Sequence, residues 1–374
     1  MQIVAIFSVS EPVTSFFSWI FIHSLALQLY FYYRYFRKLA RHKESKTSSE
    51  TPAVSVLIAA KNESQNLKNY LPKVFGQDYP EFEVIVVNDH SLDNTLDTLR
   101  SFEDDKLNVA SLEEDKSGKN AALIAAMKIA KHDHFLLTDA DCEVVSENWI
   151  SGMMAVFTEP TEIVLGHGRF FKQPTFLNKL IRFESLLVAI QYFSFAVKKR
   201  AYMGVGRNLA YKRSVAEQSD IFTKKSHIQS GDDDLLVNQM ANRINTAVAM
   251  QPETHTVSEA PDNLKSYVFQ KRRQLQAGEK YRLGHQIRLY VFAISNLLYY
   301  LTFLFLMLSG FHPFLIGTIF IVKQFIQFKV FKVLSAKLGD EDLLLWIPIL
   351  EPLYMLLITL TGISTKIWKV NRWK

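Results

Sequence analysis

Long apolar runs at both ends of this 374-residue chain constrain its fold more than any other feature of the sequence. Residues 13–33 are almost uncharged and have the length that a helix needs to cross a hydrocarbon core. Five basic residues follow this run directly: Arg34, Arg37, Lys38, Arg41 and Lys43. A secretory signal peptide carries its charges before the apolar run, so this order predicts a retained membrane anchor. The positive-inside rule then places the residues after Arg34 in the cytoplasm.

Three more apolar runs lie near the C-terminus, at residues 289–308, 311–328 and 343–363. Gly310 and Pro313 predict a tight turn between the first two, which would form a hairpin of helices. The third run contains Glu351, and an ionisable residue in a membrane segment is expected to face protein or water. Three complete crossings would leave the basic C-terminal tail outside. We therefore expect one of these runs to be re-entrant or interfacial.

The charge of the chain limits the classes of partner, and its cysteine content limits the possible disulfides. The formal charge of +6 is compatible with nucleic acid, an anionic membrane surface or a phosphate-bearing substrate. The basic residues cluster beside the apolar runs and not along one polar helix, which argues against nucleic acid. Cys142 is the single cysteine, so an internal disulfide is excluded.

The middle of the chain alternates short apolar strands with helical segments. Strands are predicted at residues 54–59, 83–87, 109–112 and 135–138, and helices at residues 63–75, 92–100 and 119–131. Such βαβ alternation predicts a parallel sheet, in which ligands bind at the carboxyl ends of the strands. Polar residues follow three of these strands: Asn62-Glu63, Asp89 and Asp139-Ala140-Asp141. Each is also a common helix cap or turn residue, but their repetition at strand ends indicates one shared crevice.

Two acidic clusters indicate chemistry. Asp139 and Asp141 are two residues apart after an apolar strand, a spacing that puts both carboxylates on one face and suits Mg²⁺ or Mn²⁺. The alternative for this pair is a polar turn. The second cluster, Asp232-Asp233-Asp234, begins a predicted helix. Negative charge favours a helix N-terminus, so capping is the alternative, and one carboxylate is left to act as a general base.

Basic residues supply two further candidates. The segment from Gln270 to Arg273 lies just before the second membrane run, where cations usually contact lipid headgroups. Guanidinium groups also bind diphosphates, so Arg273 is compatible with either role. Lys119 begins the Ala-rich helix, where it either reaches the same phosphates or belongs to a turn. Residues 169–200 mix Phe and Leu with Lys and Arg, which fits either a helix in the headgroup plane or an ordinary core helix.

Several motifs across residues 52–278, taken in their order along the chain, resemble those of family 2 glycosyltransferases of the GT-A fold. This family includes the catalytic domains of cellulose, hyaluronan and poly-N-acetylglucosamine synthases. The matching segments are Ala59-Ala60-Lys61-Asn62-Glu63, Val87-Asn88-Asp89-His90-Ser91-Leu92-Asp93-Asn94-Thr95, Gly118-Lys119-Asn120-Ala121-Ala122-Leu123, Asp139-Ala140-Asp141, Gly206-Arg207-Asn208-Leu209-Ala210, Gly231-Asp232-Asp233 and Gln270-Lys271-Arg272-Arg273. Each motif is common by itself, whereas the ordered set is specific. Gln274 departs from the pattern, because the membrane synthases have Trp there.

The resemblance implies an α/β GT-A domain with a mostly parallel sheet in residues 41–285. An N-terminal anchor in residues 1–40 and C-terminal membrane or interfacial helices in residues 286–374 would flank it. Implied donor-binding residues are Ala59, Asn62, Glu63, Asp89, Lys119, Asp139, Gln270 and Arg273. Asp139 and Asp141 are the implied metal ligands. The implied catalytic base is Asp233 beside Asp232, and Gly206 and Asn208 are implied on the acceptor side.

The implied reaction is the inverting, metal-dependent transfer of a sugar from a nucleotide sugar, with a UDP-sugar the first choice of donor. The acceptor would be a lipid or lipid-linked molecule, reached on the cytoplasmic face of the inner cell membrane, and no nucleic acid partner is expected. Gln274 and the small number of membrane runs favour transfer of single sugars. The alternatives are a processive polysaccharide synthase, a nucleotidyltransferase and a non-catalytic, nucleotide-binding membrane subunit.

Overall fold

Two β-sheets form the centre of the computed structural model, which describes residues 10–43, 50–223 and 231–367. The strands are β1 Val54–Ala60, β2 Phe82–Asn88, β3 Leu107–Ser111, β4 His134–Leu137, β5 Cys142–Val144, β6 Ile163–Leu165, β7 Gly168–Phe170, β8 Leu209–Lys212, β9 Thr246–Val248 and β10 Thr256–Ser258. The larger sheet has the order β3-β2-β1-β4-β8-β6-β9, and only β8 runs antiparallel to its neighbours. This mostly parallel sheet confirms the predicted fold class. The smaller sheet has the order β5-β10-β7.

Strand β1 shows why the sheet occupies the middle of the domain. Val56 and Ile58 pack into the core on one face, while Leu57 packs into the core on the other. A parallel strand covered on both faces is expected to be continuously apolar. This one is, apart from Ser55, whose hydroxyl donates to Glu83 at 2.7 Å. The helices of the α/β part are α3 Ser64–Phe75, α4 Thr95–Arg100, α5 Lys119–Ile129, α6 Trp149–Met154, α7 Phe176–Val197, α8 Arg213–Gln218, α9 Asp220–Thr223, α10 Asp232–Met240 and α11 Leu264–Gly278. A short α2 Arg37–Ala40 continues the N-terminal helix α1 Glu11–Phe31 through a π-helical segment, Tyr32–Phe36.

The C-terminal part is helical, as predicted. It consists of α12 Leu283–Leu308, α13 Pro313–Leu338, a 3₁₀ segment Glu341–Trp346 and α14 Ile347–Ile367. Together with the N-terminal helix and α7, these give five helices among the described residues that are long and apolar enough to cross a membrane by length and composition. Large apolar side chains on the outer helices are exposed, including Trp19 at 65% and Phe314 at 81%. The predicted basic tail falls mostly on residues 368–374, outside the described part of the chain.

Helix α7 is a core helix and does not lie in a headgroup plane. Phe183, Leu186 and Leu187 are buried in the main hydrophobic core, and Arg182 and Glu184 are buried with them. Arg182 and Glu184 are therefore paired inside the protein, with Asp340 and Lys271 respectively. The interfacial interpretation of residues 169–200 is wrong, because the sequence pattern does not distinguish a lipid surface from a protein surface as the cover for the apolar face.

Glu351 faces protein, as its position in an apolar run predicts. It is fully buried, and its carboxylate accepts hydrogen bonds from Asn296 at 2.8 Å and Gln327 at 2.8 Å, and from the Lys323 ammonium at 3.2 Å. These partners lie on α12 and α13, so one carboxylate joins three apolar helices. A buried charge needs such paired partners to be tolerated.

Arg182 joins the α/β domain to the connection between α13 and α14. Its guanidinium contacts Asp340 at 2.6 Å and Asp342 at 2.6 Å, and both Arg182 and Asp340 are buried. Burial raises the pKa of Asp340 to about 6 despite the neighbouring guanidinium. Helix α14 also packs along α7 and α11 of the domain, so of the C-terminal runs it is the one with extensive contact to the sheet-containing part.

We predict that Arg182→Ala lowers the free energy of unfolding by about 3–5 kcal/mol, because it leaves buried carboxylates without their cation. The loss should be smaller at pH 5 than at pH 8, since protonation removes the charge of Asp340. Thermal unfolding of the detergent-purified protein measures both effects. Lys172→Ala is the matched control, because Lys172 pairs with the same Asp342 while 64% exposed and should cost at most about 1 kcal/mol. Equal losses for the two variants would contradict the prediction.

Candidate active site

Hydrogen bonds join the loop after β1 to the loop after β2 at one edge of the sheet. The Asn62 side chain accepts a hydrogen bond from the Leu92 amide at 2.7 Å, and the Glu63 amide donates to Thr95 at 2.8 Å. Asn62 has a φ of 56°, a left-handed conformation that asparagine tolerates better than most residues. Ala59 lies opposite Val87 in the parallel register, so Ala59, Asn62 and Glu63 stand beside the end of β2.

Asp89 connects this edge to the start of α5. It is completely buried, and its carboxylate accepts a hydrogen bond from the Gly118 amide at 3.0 Å and contacts the Lys61 ammonium at 3.3 Å. Gly118 has a φ of 100°, which only glycine adopts readily. This bond therefore sets the position of Lys119, the first residue of α5.

Lys119 contacts the Asp139 carboxylate, which follows β4. Burial disfavours the charged amine, but Asp139, Asp233 and Asp232 together raise the pKa of Lys119 above its ordinary value. The lysine is thus a fixed cation among carboxylates. The structure thus brings together Lys119, at the start of α5, and Asp139, after β4.

Asp139, Asp141 and Cys142 form the one cluster of metal-ligand types found among the described residues, with ligand atoms within 4.8 Å of one another. Burial, and then the charge of Asp141, raises the pKa of the Cys142 thiol well above its usual range, so the sulfur stays protonated and is a poor ligand. Two half-buried carboxylates remain as ligands. Such hard oxygen atoms fit Mg²⁺ or Mn²⁺ and leave positions for other oxygens.

The three carboxylates at the start of α10 have separate partners. Asp233 accepts a hydrogen bond from the Gly206 amide, while Asp234 accepts one from the Tyr281 hydroxyl at 2.9 Å. Asp232 is buried, and burial together with the neighbouring Asp233 raises its pKa to about 6. The three side chains therefore do not serve merely as a cap.

Helix α11 supplies polar groups from the opposite side. Gln270 and Arg273 line the same cavity as Asp233, and burial lowers the pKa of Arg273. Between them, Lys271 forms a buried ion pair with Glu184 of α7 at 2.7 Å and contacts Gln274. Gln274 thus stands where the membrane synthases have Trp, and its side chain contacts the lysine of the Lys271–Glu184 ion pair.

These groups surround a cavity of about 350 Å³. Seven predicted site residues line it: Lys119, Asp139, Gly206, Asp232, Asp233, Gln270 and Arg273. Ala59, Asn62, Glu63, Asp89, Asp141 and Asn208 are not among the residues that line it. Its wall also includes apolar side chains from the predicted membrane helices, namely Leu289 of α12 and Tyr354 and Ile358 of α14. The cavity therefore extends from the acidic cluster to the C-terminal helices.

Asn208 stands behind the cavity wall. It is completely buried, and its amide accepts a hydrogen bond from Trp149 at 3.1 Å and donates to the carbonyls of His167 at 2.9 Å and Thr254 at 2.7 Å. The side-chain oxygen and nitrogen of Asn208 are thus both hydrogen-bonded inside the protein. This geometry indicates that Asn208 supports the Gly206 segment and does not contact a ligand.

The cavity residues that were absent from the sequence-derived set include His167, Glu184, Tyr202 and Arg207. Burial, and then the neighbouring His255, lowers the pKa of His167 well below its usual value, so the imidazole is neutral. Arg207 packs 4.2 Å from the Phe170 ring centroid and donates to the Gly168 carbonyl at 2.7 Å. His167 between two glycines was a signal in the sequence, whereas Glu184 resembles any charged residue of a helix.

Comparison with known proteins agrees with this geometry. Residues 55–219 match the sequence profile described as glycosyl transferase family 2. Poly-beta-1,6-N-acetyl-D-glucosamine synthase of Staphylococcus aureus strain COL is 28% identical over 176 residues, which cover 46% of this chain and 42% of that protein. The enzyme of the same name from Staphylococcus epidermidis is 29% identical over 147 residues, 38% of this chain and 35% of that protein. The chain thus spans less than half the length of the curated relatives that it matches.

A solved structure supports the fold over nearly the whole chain. The mannosyltransferase PcManGT from Pyrobaculum calidifontis, in complex with GDP-Man and Mn²⁺, superposes with a TM-score of 0.60 at 15% identity and covers 96% of this chain and 100% of that chain. At this identity the likeness concerns the fold alone. Residues 55–219 thus form a glycosyl transferase family 2 domain, within an α/β domain of GT-A fold.

Proposed function

We propose that this chain transfers single sugars from a nucleotide sugar to a lipid or lipid-linked acceptor at the cytoplasmic face of the cell membrane. The cavity carries this proposal, because it joins the acidic cluster to side chains of the predicted membrane helices. A donor would enter from the sheet edge and an acceptor from the helical side. The exposed basic residues Arg34 and Lys38, on the domain side of α1, support a cytoplasmic position for the α/β part.

The donor would lie along the sheet edge. Ala59, Asn62, Glu63 and Asp89 would hold its nucleoside, while Lys119, Gln270 and Arg273 would reach its diphosphate. Cations with fixed positions stabilise the charge that develops on a departing diphosphate, and they do so most effectively where water is excluded. The curated relatives are named for a polymer of N-acetyl-D-glucosamine, and a UDP-sugar remains the donor that we expect.

Asp139 and Asp141 would hold a divalent cation. Their half-buried carboxylates are compatible with Mg²⁺ or Mn²⁺, and the solved mannosyltransferase contains Mn²⁺. When bound, such an ion supplies Lewis-acid stabilisation of diphosphate oxygens. Lys119 would limit the approach of Asp139 to the ion, because it already contacts that carboxylate. Asp141 is therefore the stronger candidate for direct ligation.

Asp233 would act as the general base. The Gly206 amide fixes one carboxylate oxygen, which leaves the other oriented to take the proton of an acceptor hydroxyl. The acceptor oxygen then forms a bond to the anomeric carbon while the bond from that carbon to the diphosphate oxygen breaks. The proton goes to Asp233 and the electron pair to the diphosphate. Attack opposite the leaving group inverts the anomeric configuration.

A processive synthase is the second candidate, because the curated relatives are named as synthases of a polymer. Gln274 favours single transfer, since it contacts Lys271 in place of an aromatic surface for a growing chain. The lengths of the products decide between the two. A ladder of products from one donor would support the polymer synthase, whereas one product per acceptor would support the proposal.

Asp141→Ala is expected to abolish nucleotide release in lipid nanodiscs supplied with UDP-, GDP- or dTDP-sugars, Mn²⁺ or Mg²⁺, and a lipid extract. A chelator should have the same effect on the wild-type protein, because both changes remove the cation from the diphosphate. Asp105→Ala, an exposed aspartate away from the cavity, is the control and should retain activity. If the wild-type protein released no nucleotide from any donor in the panel, a non-catalytic, nucleotide-binding subunit would be favoured.

Asp233→Asn should lower turnover by about 10²–10⁴-fold while leaving donor affinity unchanged, since it removes only proton transfer. Steady-state rates and donor titrations measure the two quantities separately. Asp115→Asn, at an exposed loop position, is the matched control. Normal turnover of the Asp233 variant would refute its assignment as the base.

Gly206→Ala should also lower turnover, but by displacing Asp233. A β-carbon at this position would lie 2.6 Å from an Asp233 carboxylate oxygen, and a mobile side chain can move away without unfolding the protein. Turnover should fall while the unfolding temperature stays within a few degrees of wild type. Gly317→Ala, where no atom lies within 4 Å of the new β-carbon, should change neither quantity. Unaltered turnover of Gly206→Ala would show that the position of Asp233 is unimportant.

A further inference from the structure

Lys323 lies at the centre of a polar site inside the bundle of apolar helices. Its ammonium is 3.2 Å from the carboxylate of Glu351, and both side chains are buried. The same carboxylate accepts hydrogen bonds from Tyr300 at 2.5 Å, Asn296 at 2.8 Å and Gln327 at 2.8 Å. Lys323 also donates to Gln327 at 2.7 Å. We call these five residues the bundle network, and they join α12, α13 and α14 at one point.

The N-terminal helix reaches the same cation through an aromatic ring. The Lys323 ammonium is 5.7 Å from the ring centroid of Tyr32 and 5.1 Å from the centroids of Tyr299 and Tyr300. Aromatic rings attract a cation at this distance through their negative faces. Tyr32 is also the first residue of the π-helical segment, and such irregularities in helices are frequent at functional sites. The N-terminal helix, α12, α13 and α14 thus meet at Lys323.

The bundle network is better suited to orienting helices than to stabilising them. Removing two charges from water is costly, and apolar side chains of similar volume often stabilise a protein as well or better. A hydrogen bond, however, weakens steeply when its angle departs from linearity, whereas apolar contacts have no preferred direction. Ionisable residues within apolar helices are accordingly rare and usually functional. The effect of the bundle network is therefore expected on the faces that α12 and α14 present to the rest of the protein.

Helix α14 presents the bundle network and the cavity wall on one face. Glu351 is followed by Tyr354 and Ile358, three and seven residues later in the sequence. Residues with these spacings lie on the same side of a helix. Tyr354 and Ile358 both line the active-site cavity. A rotation of α14 about its axis that moved Glu351 would therefore move both wall residues with it.

Helix α12 combines the same two features. Asn296, which donates to Glu351, follows Leu289 by seven residues, so both lie on one face. Leu289 also lines the cavity. The cavity residue precedes the network residue on α12 and follows it on α14, as antiparallel packing of these helices requires. Both helices therefore carry the bundle network at one level and the cavity wall within about two turns of it.

We propose that Lys323 and Glu351 are positioning residues, whose network sets the rotation of α12 and α14 and thereby the shape of the helical wall of the active-site cavity. The inference rests on the proposed function, because the acceptor of that reaction would enter along this wall. Neither residue of the pair is among those that line the cavity, so both act through the helices that carry them. Loss of the pair should therefore impair use of the acceptor and leave binding of the donor intact.

Two variants remove the bundle network without leaving a buried charge unpaired. Lys323→Met/Glu351→Leu removes both charges and keeps the approximate side-chain volume, a replacement that often preserves stability. Asn296→Leu removes only the hydrogen bond between α12 and α14 and should have the same effect to a smaller extent. Lys329→Met/Glu341→Leu makes the same substitutions at exposed positions and is the matched control. Unfolding temperatures close to that of the wild-type protein establish that the variants are folded.

The reactivity of an introduced thiol measures the wall without reference to turnover. Ile358→Cys places a thiol in the cavity wall, and Leu360→Cys places one at a position that is 55% exposed on the outside of α14. The native Cys142 is buried and does not compete. A charged maleimide, applied to full-length protein in nanodiscs, should modify Cys at 358 and not Cys at 360, which faces lipid. The rate at 358 should fall severalfold in both variants and stay unchanged in the control, and an unchanged rate in folded variants would overturn the proposal.

Kinetics with the native wall residues provides the second measurement. In Lys323→Met/Glu351→Leu, the KM for the acceptor should rise about tenfold or more, since misplacement of a positioning group by about 1 Å can cost about 10²-fold. The affinity for the nucleotide sugar should stay unchanged, because its proposed binding groups lie at the sheet edge. Equal losses of donor affinity and acceptor use would indicate a general structural defect and would overturn the proposal.

The two measurements separate failure of the proposed function from failure of this inference. If wild-type protein binds no nucleotide sugar while the variants still lower the thiol rate at position 358, the proposed function fails and control of the wall by the bundle network is supported. If the wild-type protein transfers sugar while the variants change neither the thiol rate nor the acceptor KM, the proposed function is supported and this inference is overturned.

Discussion

Attachment of α10 to the start of α12 determines where the acidic residues lie relative to the membrane helices. The Arg282 amide donates to the Asn238 side chain at 2.8 Å, and the Arg282 guanidinium donates to the Gln239 carbonyl at 2.6 Å, so the carboxyl end of α10 is capped. The Tyr281 hydroxyl holds Asp234 at the other end. Unpaired carbonyls at a helix end need such donors. Because these bonds come from consecutive residues, the helix with Asp233 cannot move independently of the first turn of α12.

The opposite end of α10 depends on close packing. Gly231 has a φ of 80°, and a β-carbon there would lie 2.4 Å from the β-carbon of Ala277 on α11. Glycine is thus required both for the backbone conformation and for the contact with α11. Since α11 also provides Gln270 and Arg273, this contact sets the distance between the acidic and basic sides of the cavity. The segment between α11 and α12 therefore positions both the acidic side and the basic side of the cavity.

The charges around the cavity are mutually dependent. Lys119 lies among carboxylates that raise its pKa, and the Lys271–Glu184 pair stands nearby at 2.7 Å. Buried charges of one sign would repel, and pairing them limits the desolvation cost. The surrounding structure thus holds several carboxylates near the site of reaction. A cation at Asp139 and Asp141 would reduce their repulsion further.

The sequence by itself determined the four parallel strands β1 to β4, the order of the loops that follow them and the apolar helices, because these follow from local periodicity and from residues near one another in the chain. The antiparallel strand β8 and the smaller sheet emerged only in the tertiary structure. The sequence also predicted one crevice for Asn62, Asp89 and Asp139, since parallel strands present their carboxyl ends on the same edge. The roles of Lys119 and Asp233 were implied only by the family resemblance. Only the tertiary structure decided that α7 is a core helix, that Asn208 is saturated behind the wall, and that Glu184 faces Lys271. Those outcomes depend on which surfaces cover each other across long separations, such as Arg182 with Asp340. Periodicity in the sequence indicates that a face is apolar or charged, whereas the packing of the whole chain determines which surface covers that face.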